Sequence, residues 1–158
     1  MSLDPDEPAR AQLLRTPLRL WQRAEVHHDQ LVRELALIDS ARSRTDVRAV
    51  PDRLLVLTDE LVARYAEATQ AMHDERDAAA TAGAASVDLT YVLPRSAGTH
   101  LAELAVLLDE VDDYCRDGTL LSLPASDDVA AFAAWYCAEF DRQLTHGLPP
   151  RPWPGALS

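Results

Sequence analysis

The chain contains no lysine. All fifteen of its basic residues are arginine, and 26 aspartates and glutamates leave a formal net charge of −11 over 158 residues. This deficit argues against nucleic-acid binding, where a basic face supplies most of the affinity, and against attraction to anionic membrane surfaces. Cysteine is almost as scarce. Cys115 and Cys137 stand far apart with no CxxC, so no zinc-ligand spacing and no disulfide framework is available. Two isolated thiols on predicted helices suit small core positions in a reducing cytoplasm, and a disulfide joining the two helices is the alternative. The five glycines are scattered as helix stops, which leaves no glycine-rich loop to cradle a phosphate. GxGxxG, GxxxxGK[ST], HExxH, GxSxG and the EF-hand loop are all missing. No apolar run approaches the ~20 residues needed to span a bilayer. The opening MSLDPDEPARAQ lacks the basic and apolar regions of a signal peptide. The expectation is a cytoplasmic protein.

What the chain does have is helical periodicity. The stretch from Ser126 to His146 carries both phenylalanines of the sequence. Val129, Phe132, Ala133, Tyr136, Phe140 and Leu144 recur there at three- and four-residue steps, one face of an α-helix. Ser126 fits its N-cap, Asp127 and Asp128 complement the helix dipole, and Gly147 stops it before Pro149 and Pro150. Thr16 and Pro17 predict a helix start. Trp21, Ala24, His28, Leu31, Leu35 and Ile38 then step by threes and fours to about Arg44. After a polar link at Thr45 to Val50, Pro51 and Asp52 open a second helix. Its stripe is Leu54, Thr58, Leu61, Tyr65, Ala68 and Met72, and it frays through an alanine cluster to Gly83. A third helix runs from Ser96 to Arg116 on Leu101, Leu104, Leu108, Val111 and Cys115, with Asp109, Glu110, Asp112 and Asp113 as an acidic outer run.

Val87 to Leu93 alternates apolar and polar residues and reads as extended. Thr119 to Leu123 is a second short extended candidate that could pair with it. The expected architecture is all-α, a four-helix up-and-down bundle with short extended connections. Residues 1–15 form a mobile segment, 16–147 the bundle, and 148–158 a proline-rich tail that Trp153 pins back.

One constellation invites a metal. With the helices placed up and down, His73, His100 and His146 fall near one level, and His28 lies deeper on its stripe. Glu25 precedes His28 by three residues and Glu103 follows His100 by three. A divalent metal on His28, His73 and His100 could activate a water. Against this, the second Glu/His pair is reversed relative to the order that di-iron bundles use, and a buried histidine needs only one polar partner. Cys137 has no evident base beside it.

The ending AAWYCAEFDRQLTHGLPPRPWPG, with VPDRLLVLTDELVARYA and SVDLTYVLP upstream, resembles a group of small uncharacterised actinobacterial helical proteins. Their ending carries EF-x-RQ followed by PW, matched here by Glu139-Phe140, Arg142-Gln143 and Pro152-Trp153. Ala134 stands where that pattern has arginine. The resemblance implies no activity. It implies regulation, since such proteins lie near genes for anti-sigma-factor kinases and their antagonists.

The leading functional expectation is therefore a non-catalytic interaction or regulatory module. It would take a protein partner or a second copy of itself, with Trp135, Arg142 and Trp153 as candidate contacts, and no resident cofactor. Simple docking of the tail would employ the same three residues. A metal-dependent bundle enzyme and a small-molecule sensor with a pocket between the helices are the alternatives.

Overall fold

The computed structural model describes residues 2–42 and 53–157. The expected link at Thr45 to Val50 and the helix opening at Pro51 and Asp52 lie outside the described residues. Among those described, the order is β1 (Pro8–Pro17), α1 (Leu18–Arg42), α2 (Arg53–Thr81), β2 (Ser86–Pro94), α3 (Ser96–Arg116) and α4 (Asp127–Phe140), continued by a π-helical turn at Asp141–Thr145. None of these helices is long and apolar enough to cross a membrane.

The all-α expectation is overturned by an antiparallel two-stranded sheet, which makes the architecture mixed. β2 is extended as its alternation implies, but its partner is not Thr119 to Leu123. It is β1, in the segment expected to be mobile. Ala11 and Leu13 on β1 and Leu89, Tyr91 and Leu93 on β2 turn to the core. Pro8 and Pro17 sit at the ends of β1, where a missing N–H disturbs the ladder least. Leu13 opposes Leu89 while Thr16 opposes Val87, so β1 carries a bulge. Arg15 lies in it at φ 54°.

Residues 119–123 turn instead around Glu34 of α1. Its carboxylate accepts from the backbone N–H groups of Leu121 and Ser122 and from the Ser122 hydroxyl. Asp112, expected on a solvated face, is buried. It accepts from the Ala125 N–H at 2.6 Å and pairs with Arg116 at 2.6 Å, fastening the link between α3 and α4. Thr16 does not cap α1. It lies within β1, its hydroxyl buried and without a partner among the described residues, and the Leu18 N–H donates to the Ala85 carbonyl. Ser126 has the extended backbone of an N-cap, but its hydroxyl donates to Asp128 rather than receiving from the first turn.

The helices form a ring. α1 packs beside α2 and α4, and α3 packs beside the same two. β2 lies on α2, and β1 lies against α4 and the π-helical turn. Two apolar clusters result. One gathers Trp21, Tyr91, Phe132, Phe140 and Trp153 near the sheet. The other gathers Leu31, Leu35, Leu54, Leu57, Leu107 and Val111 further along the helices. Leu61 and Leu104 touch both.

Candidate functional site: a cavity where the two cores meet

Between the clusters the helical stripes keep their spacing but lose bulk. On α1, Ala24 and His28 stand between Trp21 and Leu31. On α2, Thr58 follows Leu54 and Leu57. On α4, Ala133 separates Phe132 from Tyr136. Small and polar side chains at core-facing positions leave space, and a cavity of about 550 Å³ opens there. Its wall comes from α1 (Trp21, Glu25, His28, Asp29), α2 (Thr58, Leu61, Tyr65, Thr69, His73), β2 and α3 (Leu93, Leu101, Leu104, Leu108) and α4 (Phe132, Ala133, Tyr136, Phe140). The volume falls within the ~300–1,000 Å³ typical of small-molecule sites, and an apolar wall with a few polar groups is their usual make-up.

Two of the three candidate metal ligands, His28 and His73, line this cavity. His28 Nε2 lies 3.5 Å from the Thr58 hydroxyl. Burial holds the His28 imidazole below the usual histidine range, against a smaller opposing pull from Asp29. Burial and then the nearby Arg76 do the same to His73. Both rings are neutral at pH 7, each able to accept one hydrogen bond and donate another. His100 is engaged elsewhere, its Nδ1 2.9 Å from the Tyr65 hydroxyl. Among the described residues no three His, Cys, Asp or Glu side chains converge closely enough to hold a metal ion.

Cys137 also lines the cavity, and burial pushes its thiol up to about 12. Cys115 is raised to about 11 for the same reason. Both are buried free thiols, so the alternative of a disulfide between them falls. A thiolate, which is the nucleophilic form, is scarcely populated at either.

At one end of the cavity Arg76 lies across Trp21, its guanidinium carbon 4.8 Å from the ring centroid, with Nη1 2.6 Å from Glu25. Trp21 in turn meets Tyr136 edge-on at 5.4 Å and Phe132 at 5.9 Å. These contacts fix the aromatic wall in one arrangement.

Trp135 meets Trp153 of the C-terminal tail, and Arg142 meets the same tail at Pro149. The Trp153 ring packs 5.6 Å from Trp135 and 6.0 Å from Phe132, and the residue is 6% exposed. Trp135 Nε1 donates to the Arg151 carbonyl and Arg142 donates to that of Pro149. Buried Glu139 accepts from the Arg151 N–H and from Gln143. The Gln143 amide also bonds both backbone groups of Gln12 at 2.8 Å, standing in for a neighbouring strand along β1. The Arg15 guanidinium, aimed by the bulge, donates to the Trp153 and Gly155 carbonyls. The EF-x-RQ and PW residues thus join tail, π-helical turn and β1.

A smaller polar cleft of about 300 Å³ lies beside this junction, lined by Arg10, Gln12, Arg95 and Gln143. Arg95 is already spent on Glu7 and the Leu144 carbonyl. His28, His73 and Glu25, which the sequence pattern singles out, all line the cavity, whereas Asp29 and Thr69 carry no such mark in the sequence. The available signal was the interruption of apolar stripes by small and polar residues at one level. No protein-family model, curated protein or solved structure matches this chain.

Proposed function

We propose that the chain is a non-catalytic small-molecule-binding module, its ligand held in the cavity among the four helices. The observation that carries this reading is the cavity itself: about 550 Å³, walled by aromatic and aliphatic side chains with neutral imidazoles and hydroxyls interspersed. Binding there would tie α1, α2, α3 and α4 together, which gives a regulatory partner something to sense. The likeness to actinobacterial proteins linked to regulation fits such a role. A metal-dependent enzyme on His28, His73 and His100 is less well supported, because His100 is turned to Tyr65. Partner docking through Trp135, Arg142 and Trp153 is also less well supported, because Trp135 and Arg142 already hold the tail and Trp153, part of that tail, is packed on Trp135.

The test is fluorescence titration with N-phenyl-1-naphthylamine, an uncharged dye that brightens in apolar surroundings. The native chain is expected to bind it saturably, one molecule per chain. Ala133→Trp, which fills the cavity, is expected to abolish binding with the helical circular dichroism intact. A dark dye with the native chain, or equal binding by the filled variant, rejects the proposal.

A further inference from the structure

We infer that the ligand is a lipophilic amine, its apolar body inside the cavity and its ammonium at the mouth beside Asp29. This rests on the cavity being a binding site. Glu25 and Asp29, one helical turn apart on α1, both line it. Glu25 already has its cation. The Arg76 side chain, 12% exposed, is held between that carboxylate and the face of Trp21. Asp29 presents a second carboxylate one turn further on without a cation. Among the described residues it has neither an ion pair nor a hydrogen bond.

The remaining polar groups on the wall suit a donor. His28 and His73 are neutral and can accept from an ammonium or amine N–H, as can the hydroxyls of Thr58 and Thr69. A carboxylate ligand would meet two like charges on α1 in a chain of net charge −11. An ammonium drawn fully inside would lose its hydration without a matching partner. The exposed Asp29 lets it stay wet while the hydrocarbon enters. Arg76 on Trp21 and Glu25 is the intramolecular version of the same recognition, a cation shared by a carboxylate and an aromatic ring.

Three probes with one body separate the possibilities: 4-phenylbutylamine, 4-phenylbutan-1-ol and 4-phenylbutanoate, titrated calorimetrically at pH 7 and low salt. The amine is expected to bind most tightly, by about three- to fivefold over the alcohol as befits a partly exposed ion pair, and the acid most weakly. The preference is expected to shrink toward parity in roughly 0.5 M salt, where charges are screened within a few ångströms. Asp29→Asn, at an exposed helical position, is expected to erase the amine's preference over the alcohol, with circular dichroism confirming the fold. An alcohol that binds as tightly as the amine overturns the amine inference and leaves the cavity reading standing. So does an amine preference that persists in salt or in Asp29→Asn. Failure of all three probes to bind overturns both.

Discussion

Among the glycines, Gly98 has the least room for a side chain. It begins α3 where that helix crosses the end of α4, and a Cβ there would collide with the Thr145 hydroxyl and lie 3.1 Å from the Phe140 carbonyl oxygen. The obstacle is partly backbone, so the neighbour cannot simply rotate away. Gly98→Ala is expected to lower stability by about 1–3 kcal/mol, the usual cost of overpacking, read as a shift of the urea midpoint. The thiols make a second residue-scale prediction. With Cys137 raised to about 12 and Cys115 to about 11 by burial, neither should react with Ellman's reagent at pH 8 in the native state. Both should react at once in denaturant, giving two thiols per chain. Fast labelling of either in native buffer would place it in contact with solvent.

At the scale of elements, the tail and β1 stabilise one another through α4. Trp153→Ala removes a ring packed on Phe132 and Trp135. The expected cost is about 3 kcal/mol, the lower end for truncating a buried large aromatic. The Arg151 amide, which donates to buried Glu139, should then exchange with solvent much faster. Gln143→Leu keeps the volume but strands both Gln12 backbone groups, while Glu139 keeps its bond from the Arg151 N–H. Leaving such groups unpaired is expected to cost about 1–3 kcal/mol, with exchange of the Gln12 amide accelerated while α1 and α3 stay protected. Gln143→Leu stability equal to the native chain would mean that the strand edge is held by other contacts.

The same elements show what could be read from the sequence. α3 runs from Ser96 to Arg116 as its stripe and Gly118 imply, and β2 follows its own alternation. Both are specified by residues close in the chain. β1 is hard to read because its inward apolar side chains are few and partly small (Ala9, Ala11, Leu13) and Thr16 is its only β-branched residue. Its pairing depends on residues 69 to 86 positions away. Thr119 to Leu123 looked extended, yet Leu121 is 92% exposed because Glu34 and Asp112 capture the backbone around it. The π-helical turn adds a residue to the end of α4, and Gln143 is the side chain there that meets β1. The cavity was the least legible feature. Its lining preserves helical spacing and differs only in side-chain size and polarity, which periodicity does not weigh.

For the whole molecule the question is what acid does, and two effects compete. Lowering the pH reduces a net charge of −11, which relieves self-repulsion and favours the compact state. Against this, His27, His28 and His73 are each held below the usual histidine range, in every case chiefly by burial. A depressed imidazole stays neutral in the native chain while its unfolded counterpart gains a proton, so the unfolded state binds more protons as the pH drops below about 6.5. Stability then rises with pH in that window and falls toward acid. A further loss follows lower down. Asp128 is held below the carboxylate range by Arg23 and Ser126, and protonation forfeits that contribution. In about 0.15 M salt the long-range repulsion is screened beyond ~8 Å, so the histidines decide the first step. The urea midpoint is therefore expected to be flat from pH 8 to 7 and to fall between pH 6.5 and 5. His28→Asn keeps a polar group opposite Thr58 but cannot titrate, and it should reduce that fall without altering the plateau slope. A native midpoint that holds steady or climbs from pH 7 to 5 at this ionic strength would show that charge relief outweighs the buried imidazoles.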